Sequence, residues 1–283
     1  MTDLIHSSLL PFITQWLEED DLTRNFHYSK TLPQVPVCLS LKLKSDLILA
    51  GTDYFVSTFK ALGAREVDWA FLTSKEGSFF KAGEVVEFPF EMPFNVAVSG
   101  ERLALNLLAH ASSISTWTAK HVEKAAIKNI KILDTRKTTP GLRSLEKYAV
   151  RVGGGYNHRF GQADVWMIKD NHKTCLGGLK GAWEFFKSQQ TFYSPVVVEI
   201  HDLAELAEAI GLGVKHVMLD NFSPDLVREA VKMKSAGMTF EISGGLRFEF
   251  LDKYLIDGVD ALSIGALTNA APRVDISLKF RPV

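Results

Sequence analysis

The hydrophobic rhythm of the chain changes near residue 129. Before that point, the runs VCLSLKLKSDLILAG, EVDWAFLTS and EVVEFPFE alternate apolar and polar positions. A period of two puts one side of a strand in a core and the other in water, and Gly77 and Gly83 fall where turns would join antiparallel strands. TDYFVSTFKALGA has helical spacing and stops at Gly63, and the opening MTDLIHSSLLPFITQWLEEDD reads as an amphipathic helix. SGERLALNLLAHASSISTWTAKHVEKAA is a long helical pattern that joins the two parts of the chain. The pattern predicts an α+β sandwich, a sheet with helices on one face, over residues 1–110.

From residue 129 short apolar runs alternate with amphipathic helices: IKILDTR, VWMIKDNH, VVVEIHD, HVMLDN, FEISGG and ALSIGA. This rhythm predicts six parallel βα units, an α/β barrel, over residues 111–270. Helix ends are well marked. Asp202 stands where it caps LAELAEAI before Gly211, and Ser223, Pro224 and Asp225 open LVREAVKMK before Gly237. Residues 271–283 are expected to return to the first domain. Each strand ends on polar or glycine positions: Asp134 and Arg136; Lys169 and Asp170; Glu199; Asp220; Ser243, Gly244 and Gly245; Gly265. A parallel barrel carries all these ends on one rim, where such folds hold their chemistry.

Composition narrows the function. With 283 residues, 46% hydrophobic and 23% charged, the chain can bury one large core or two smaller ones. No apolar run reaches the roughly 18 residues of a membrane span, and the N-terminus lacks the pattern of a signal peptide, so a cytoplasmic protein without a membrane partner is expected. A formal charge of −1 argues against nucleic acid as a partner. Cys38 and Cys175 match neither a disulfide framework nor a metal spacing and read as reduced thiols.

On this nearly neutral chain, Arg136, Lys137, His158, Arg159 and Lys169 crowd into one turn-rich stretch from Asp134 to His172. A solvated basic face is the plain explanation; a pocket for small, highly charged anions is the sharper one, favoured by the position of these cations at strand ends. The SGG and GA steps leave backbone N–H groups unobstructed at helix starts, suited to a phosphate monoester. Glu199 and Asp220 have the chemistry to bind ribose hydroxyls, coordinate Mg²⁺ or stabilise positive charge at a sugar carbon. His158 is placed in the pocket. His6, His27, His110, His121, His201 and His216 lack metal-site spacing and read as surface or satisfied core residues.

The block DTRKTTPGLRSLEKYAVRVGGGYNHRFG, followed in order by IKDNH, VEI, MLDN, ISGG and IGALT, strongly resembles the quinolinate phosphoribosyltransferase family. The resemblance spans roughly residues 100 to 280, with weaker agreement at LILAG and GERLALN. It implies a type II phosphoribosyltransferase-like subunit, an α/β sandwich plus an incomplete α/β barrel, in a homodimer with shared active sites, or a hexamer. The implied reaction transfers the phosphoribosyl group of phosphoribosyl pyrophosphate to quinolinate, a pentosyl transfer with decarboxylation that yields nicotinate mononucleotide for NAD synthesis. Mg²⁺ is the implied cofactor. By matching motif, Arg136, His158, Arg159 and Lys169 are expected at the quinolinate carboxylates, with Arg102 reaching in from the partner chain. Lys137 is expected near the ring and pyrophosphate, Glu199 and Asp220 near ribose and metal, and Ser243, Gly244, Gly245 and Gly265 at the 5′-phosphate.

Several positions depart from the family pattern. Where it reads EDLGxGDxT this chain has EDDLTRNFHYS, with Thr23, Asn25 and Phe26; SGIAT becomes SSISTWT, which includes Ser113; the first glutamate of the acidic strand is Val197; and ALTHS becomes ALTNA, with Asn269. Three alternatives remain at this point. One is a paralogue associated with molybdate transport that takes a different acceptor, against which the intact DTRKTTP and IKDNH stand. Another is a Schiff-base aldolase using Lys169, separable by borohydride trapping. The third is a phosphate-binding protein without catalysis.

Overall fold

The computed structural model describes residues 2–20, 30–64 and 67–283. They form two compact units: residues up to Trp117 together with Ala271–Val283, and Thr118–Ala270. The helix Phe94–Ala126 runs through the expected boundary at 110/111, and the division falls seven residues later, after Trp117. Hydrogen bonds explain the shift. The Ala50 N–H donates to Ser112 Oγ at 3.1 Å, the Ile48 N–H to Thr116 Oγ1 at 2.9 Å, and Ser115 Oγ to the Ile48 carbonyl at 2.7 Å. That hydroxyl-rich turn of helix is thereby tied to the first unit.

The first unit carries strands β1 (Pro36–Leu43), β2 (Leu47–Ile48), β3 (Phe79–Phe80) and β4 (Val85–Pro93). The second carries β5 (Lys131–Leu133), β6 (Trp166–Ile168), β7 (Val196–Ile200), β8 (His216–Asp220), β9 (Thr239–Ser243) and β10 (Ala261–Ser263). The chain then returns to the first unit as β11 (Ile276–Pro282), which pairs antiparallel with β1.

In the first unit, β1 is the centre of a sheet ordered β11-β1-β4, and β2 and β3 form a separate pair. Val37, Leu39, Leu41 and Leu43 alternate along β1 into one core with Phe55 and Phe59 of the helix Thr52–Ala61. Trp69 stacks on Phe59 with ring centroids 5.7 Å apart. EVDWAFLTS, expected as a strand, is instead a turn of helix at Ala70–Thr73. Asp68 Oδ1 accepts the Ala70 N–H at 2.9 Å and starts the turn, while Trp69 and Leu72, three apart, are both buried. Helical spacing of the two largest anchors overrides the short alternation.

The six strands of the second unit are all parallel, ordered β5-β10-β9-β8-β7-β6. This is the circular order of a βα barrel that stays open between its first two strands. At the open edge Tyr156 donates its N–H to Ile132 and accepts that of Asp134, at 2.8 and 3.1 Å. Both anticipated helix caps form: Asp202 Oδ1 accepts the Glu205 N–H at 2.8 Å, and Ser223 Oγ accepts the Leu226 N–H at 3.3 Å, with Pro224 in the first turn. Among the described residues no helix is long and apolar enough to cross a membrane.

Candidate active site

The carboxyl ends of β5 to β10 converge on a cavity of about 610 Å³ within the second unit. Arg136, Lys137, His158, Arg159 and Lys169 line its cationic side. Glu199 and Asp220 face it from the adjacent strands β7 and β8, and Ser243, Gly244, Gly245 and Gly265 form the wall beyond. Arg102 lies exposed on the helix Phe94–Ala126, in the first unit.

Asp134, grouped with the rim by its sequence position, does not face the cavity. It is 0% exposed and ion-paired with Lys147, itself 2% exposed. Its oxygens also accept from Asn157 Nδ2 at 2.5 Å and from the His158 N–H at 2.9 Å, and Lys147 Nζ reaches the His158 carbonyl at 3.1 Å. Burial is the largest influence on the Asp134 carboxyl and raises its pKa above the usual value, against the lowering by Lys147, Asn157 and the His158 amide. This buried cluster anchors the base of the loop that carries His158 and Arg159.

Arg159 donates from Nη1 to the Val165 carbonyl at 3.0 Å. Burial, then the like charge of Arg136, lowers its pKa, with Asp164 and Glu199 opposing. The guanidinium remains charged from such a high starting value. The loop is further tied by Asp164, whose carboxylate accepts the N–H groups of Phe160 and Gly161 at 2.7 and 2.9 Å. Lys169 is paired with Glu199, whose side chain is only 8% exposed. Lys169 is therefore engaged by the carboxylate of the neighbouring strand.

The sequence placed Asp170 on the rim and took His201 for a surface or satisfied core residue; the structure brings the two together beside Glu199. His201 Nε2 lies 2.6 Å from Asp170 Oδ1 and 3.6 Å from Glu199 Oε1, and the ligand atoms of Asp170, Glu199 and His201 all lie within 4.8 Å of one another. Partial burial raises the Asp170 carboxyl, but Lys173 and His201 together outweigh it and hold it below the ordinary range. Both carboxylates of this trio already face lysines, Lys169 on Glu199 and Lys173 on Asp170 at 3.3 Å, which leaves little charge for a cation. Arg247 and Asn269 also line the cavity. The one sequence signal for His201 was its place directly after an acidic strand.

Gly244 has φ +91°, and a Cβ there would stand 2.2 Å from Asn221 Oδ1. Gly265 gives room of another kind, because its Cβ would come 3.0 Å from Lys137 Cδ. The elements after these glycines are short, a 3₁₀ segment at Phe248–Tyr254 and one turn at Ala266–Asn269. Any anion here is thus held by individual N–H groups more than by a helix dipole. Of the departures, Val197 packs with Met167 and Met218 inside the barrel, and Ser113 Oγ accepts the Val274 N–H at 3.0 Å. Thr23, Asn25, Phe26 and His27 lie outside the described residues.

A cationic rim facing two carboxylates and glycine-rich turns, at the carboxyl ends of an open parallel barrel, defines an enzyme site for polyanionic substrates. The chain belongs to the quinolinate phosphoribosyl transferase family, matching its N-terminal domain over residues 21–112 and its C-terminal domain over residues 114–279. It is 41% identical over 235 residues to a probable nicotinate-nucleotide pyrophosphorylase [carboxylating] of Bacillus subtilis (strain 168), covering 83% of this chain and 80% of that one. It is 35% identical over 280 residues to the nicotinate-nucleotide pyrophosphorylase [carboxylating] of Homo sapiens, covering 96% and 92%. The crystal structure of NadC from Streptococcus pyogenes superposes with a TM-score of 0.85 at 32% identity, covering 98% of this chain and 97% of that one.

Proposed function

We propose that the protein is a carboxylating nicotinate-nucleotide pyrophosphorylase: it transfers the phosphoribosyl group of phosphoribosyl pyrophosphate to the ring nitrogen of quinolinate, releasing pyrophosphate and carbon dioxide, and supplies nicotinate mononucleotide for NAD synthesis. One observation carries this reading: Arg136, Arg159 and Lys169 line the same cavity as Glu199 and Asp220. A pyridine dicarboxylate and a sugar bearing a phosphate and a pyrophosphate repel each other in water. A dense cationic set in a partly desolvated cavity offsets that repulsion and brings the two within reach.

The chemistry needs no protein nucleophile. The pyridine nitrogen attacks the anomeric carbon as its bond to the pyrophosphate oxygen breaks, and the leaving oxygen takes the electron pair. Arg136, Arg159 and Lys169 grip the carboxylates, Arg159 through the planar fork suited to bidentate pairing. Lys137, whose stem packs over Gly265, meets the departing pyrophosphate. Glu199 and Asp220 offset the positive charge that builds on the sugar. The quaternised nitrogen then accepts electron density, carbon dioxide leaves the adjacent carbon, and a proton takes its place. The turn Ser243–Gly245 and Gly265 hold the 5′-phosphate through backbone N–H groups.

Mg²⁺ suits the oxygen donors here, since it keeps most of its waters and binds through one or two carboxylates and substrate phosphates. Asp220 is partly exposed and can hold it; Glu199 fits once its pairing with Lys169 is exchanged. The ion would neutralise pyrophosphate charge. We further propose a cytoplasmic homodimer in which Arg102 of each chain completes the other chain's site.

The test is an assay of purified protein with phosphoribosyl pyrophosphate, Mg²⁺ and either quinolinate or nicotinate. The expected result is one carbon dioxide released per mononucleotide with quinolinate and no product with nicotinate. Equal turnover of nicotinate, or no mononucleotide from either acceptor, would overturn the reading.

A further inference from the structure

The helix Arg143–Val152 does not line the cavity, yet its first turns hold both loops that supply the cationic rim. Arg143 donates from Nε to Thr138 Oγ1 at 3.0 Å and from Nη1 to the Phe160 carbonyl at 3.2 Å. Three positions on, the buried Glu146 carboxylate accepts the Thr139 N–H at 3.2 Å. Four positions on from Arg143, and so on the same face of the helix, Lys147 donates from Nζ to the His158 carbonyl at 3.1 Å. Arg159 therefore stands between two carbonyls gripped from one helix. Arg136 and Lys137 directly precede Thr138 and Thr139, which the same helix grips. Among the described residues Arg143 has no carboxylate partner, and both of its bonds go to neutral acceptors on the two loops. The loops need such a tie. After burial, the like charge of Arg136 is the next influence that lowers the Arg159 pKa, so the segments that carry these two arginines push apart.

We propose that Arg143 is a positioning residue for quinolinate: its guanidinium fork ties the Thr138 loop to the Phe160 loop and so sets the spacing between Arg136 and Arg159. Glu146 and Lys147 each reach one of these loops, whereas Arg143 bridges the two. Two cations held at a fixed separation meet two carboxylates without reordering, and the repulsion between them is already overcome in the free protein. Simple electrostatics gives Arg143 another role, that of one more positive charge drawing polyanions toward the rim. Lysine separates the accounts, because it keeps the charge but offers a single nitrogen in place of two donors fixed in a plane. The inference rests on the reading that Arg136 and Arg159 grip the carboxylates of quinolinate.

The experiment is steady-state kinetics of Arg143→Ala, Arg143→Lys, Thr138→Val and the double variant Thr138→Val with Arg143→Ala, each checked for an unchanged thermal melt. Amide hydrogen exchange across residues 136–139 and 158–161 is measured alongside. Arg143→Ala and Arg143→Lys should each raise the KM for quinolinate roughly tenfold, with kcat little changed. The KM for phosphoribosyl pyrophosphate should move less, because the Lys137 carbonyl is held separately by the Thr268 hydroxyl at 2.9 Å. Thr138→Val removes one acceptor and leaves every cation in place. It should raise the same KM severalfold and add nothing to the loss in Arg143→Ala, since both cut the same tie; it also serves should the arginine variants fail to fold. Exchange in both loops should quicken in Arg143→Lys. Wild-type kinetics in Arg143→Lys, an equal rise in the two KM values, additive losses in the double variant, or unchanged exchange in either loop would overturn the proposal. Should the wild type not turn over quinolinate at all, the proposed activity falls, and the exchange rates of the two loops still decide whether Arg143 ties them.

Discussion

Lys147 and Asp134 form an ion pair with almost no contact with water, directly under the loop that presents Arg159. Removing one member of such a pair leaves the other as an uncompensated buried charge. Lys147→Met should therefore cost about 3–5 kcal/mol of stability in denaturant unfolding, and Lys147→Met with Asp134→Asn markedly less than the single change. A single substitution costing under about 1 kcal/mol, the range of an exposed pair, would show that the pair does not anchor the loop. At this scale the sequence is only half informative. Arg136, Lys169, Glu199 and Asp220 are legible because they end strands, and a parallel barrel turns that position into a place on the rim. Asp134 ends a strand too, yet it points inward, because Lys147, Asn157 and the His158 amide, 13 to 24 residues along, supply its partners. No local pattern announces those contacts. His201 was read as a surface or satisfied core residue and is instead beside Asp170 and Glu199, for the same reason: its partners stand on other elements.

The turns at the ends of β8 and β9 fit into each other. The Asn221 N–H donates to the Ser243 carbonyl at 2.9 Å, Asn221 itself has φ +58°, and its side chain occupies the space a Cβ on Gly244 would need. A side chain at position 244 meets both an unfavourable backbone conformation and a contact it cannot relieve. Gly244→Ala should raise the KM for phosphoribosyl pyrophosphate about tenfold or more, while its effect on the KM for quinolinate is small. A variant with normal phosphoribosyl pyrophosphate kinetics would remove this turn from the phosphate site. Strand and helix rhythms of the second unit were plain in the sequence because six repeats of one pattern reinforce each other and the caps agree with them. In the first unit EVDWAFLTS is too short for its alternation to outweigh two buried anchors three residues apart, Trp69 and Leu72.

For the whole molecule, the central issue is whether a site is completed by a second chain. Arg102 is exposed on its helix, while the other proposed carboxylate-binding cations line the cavity of the second unit. If Arg102 acts across a dimer, Arg102→Ala and Lys169→Ala chains are each inactive alone, yet a hybrid dimer has one intact site. Refolding or co-expressing them in equal amounts should recover about a quarter of wild-type activity, since half the dimers are hybrids with one working site of two. No recovery would show that Arg102 serves its own chain or none. Such sharing is invisible to periodicity and composition, which report on one chain's core and surface; here the motif resemblance alone pointed to it.

The rim of the proposed site recognises two carboxylates rather than negative charge in general. Titration calorimetry of quinolinate and nicotinate into the wild type, Arg136→Ala and Arg159→Ala tests it most directly. The prediction is that the wild type prefers the dicarboxylate by about tenfold or more, that the preference weakens with added salt, and that it collapses in either variant. Equal affinity for the two acids in the wild type, or a preference that survives loss of both arginines, would contradict it.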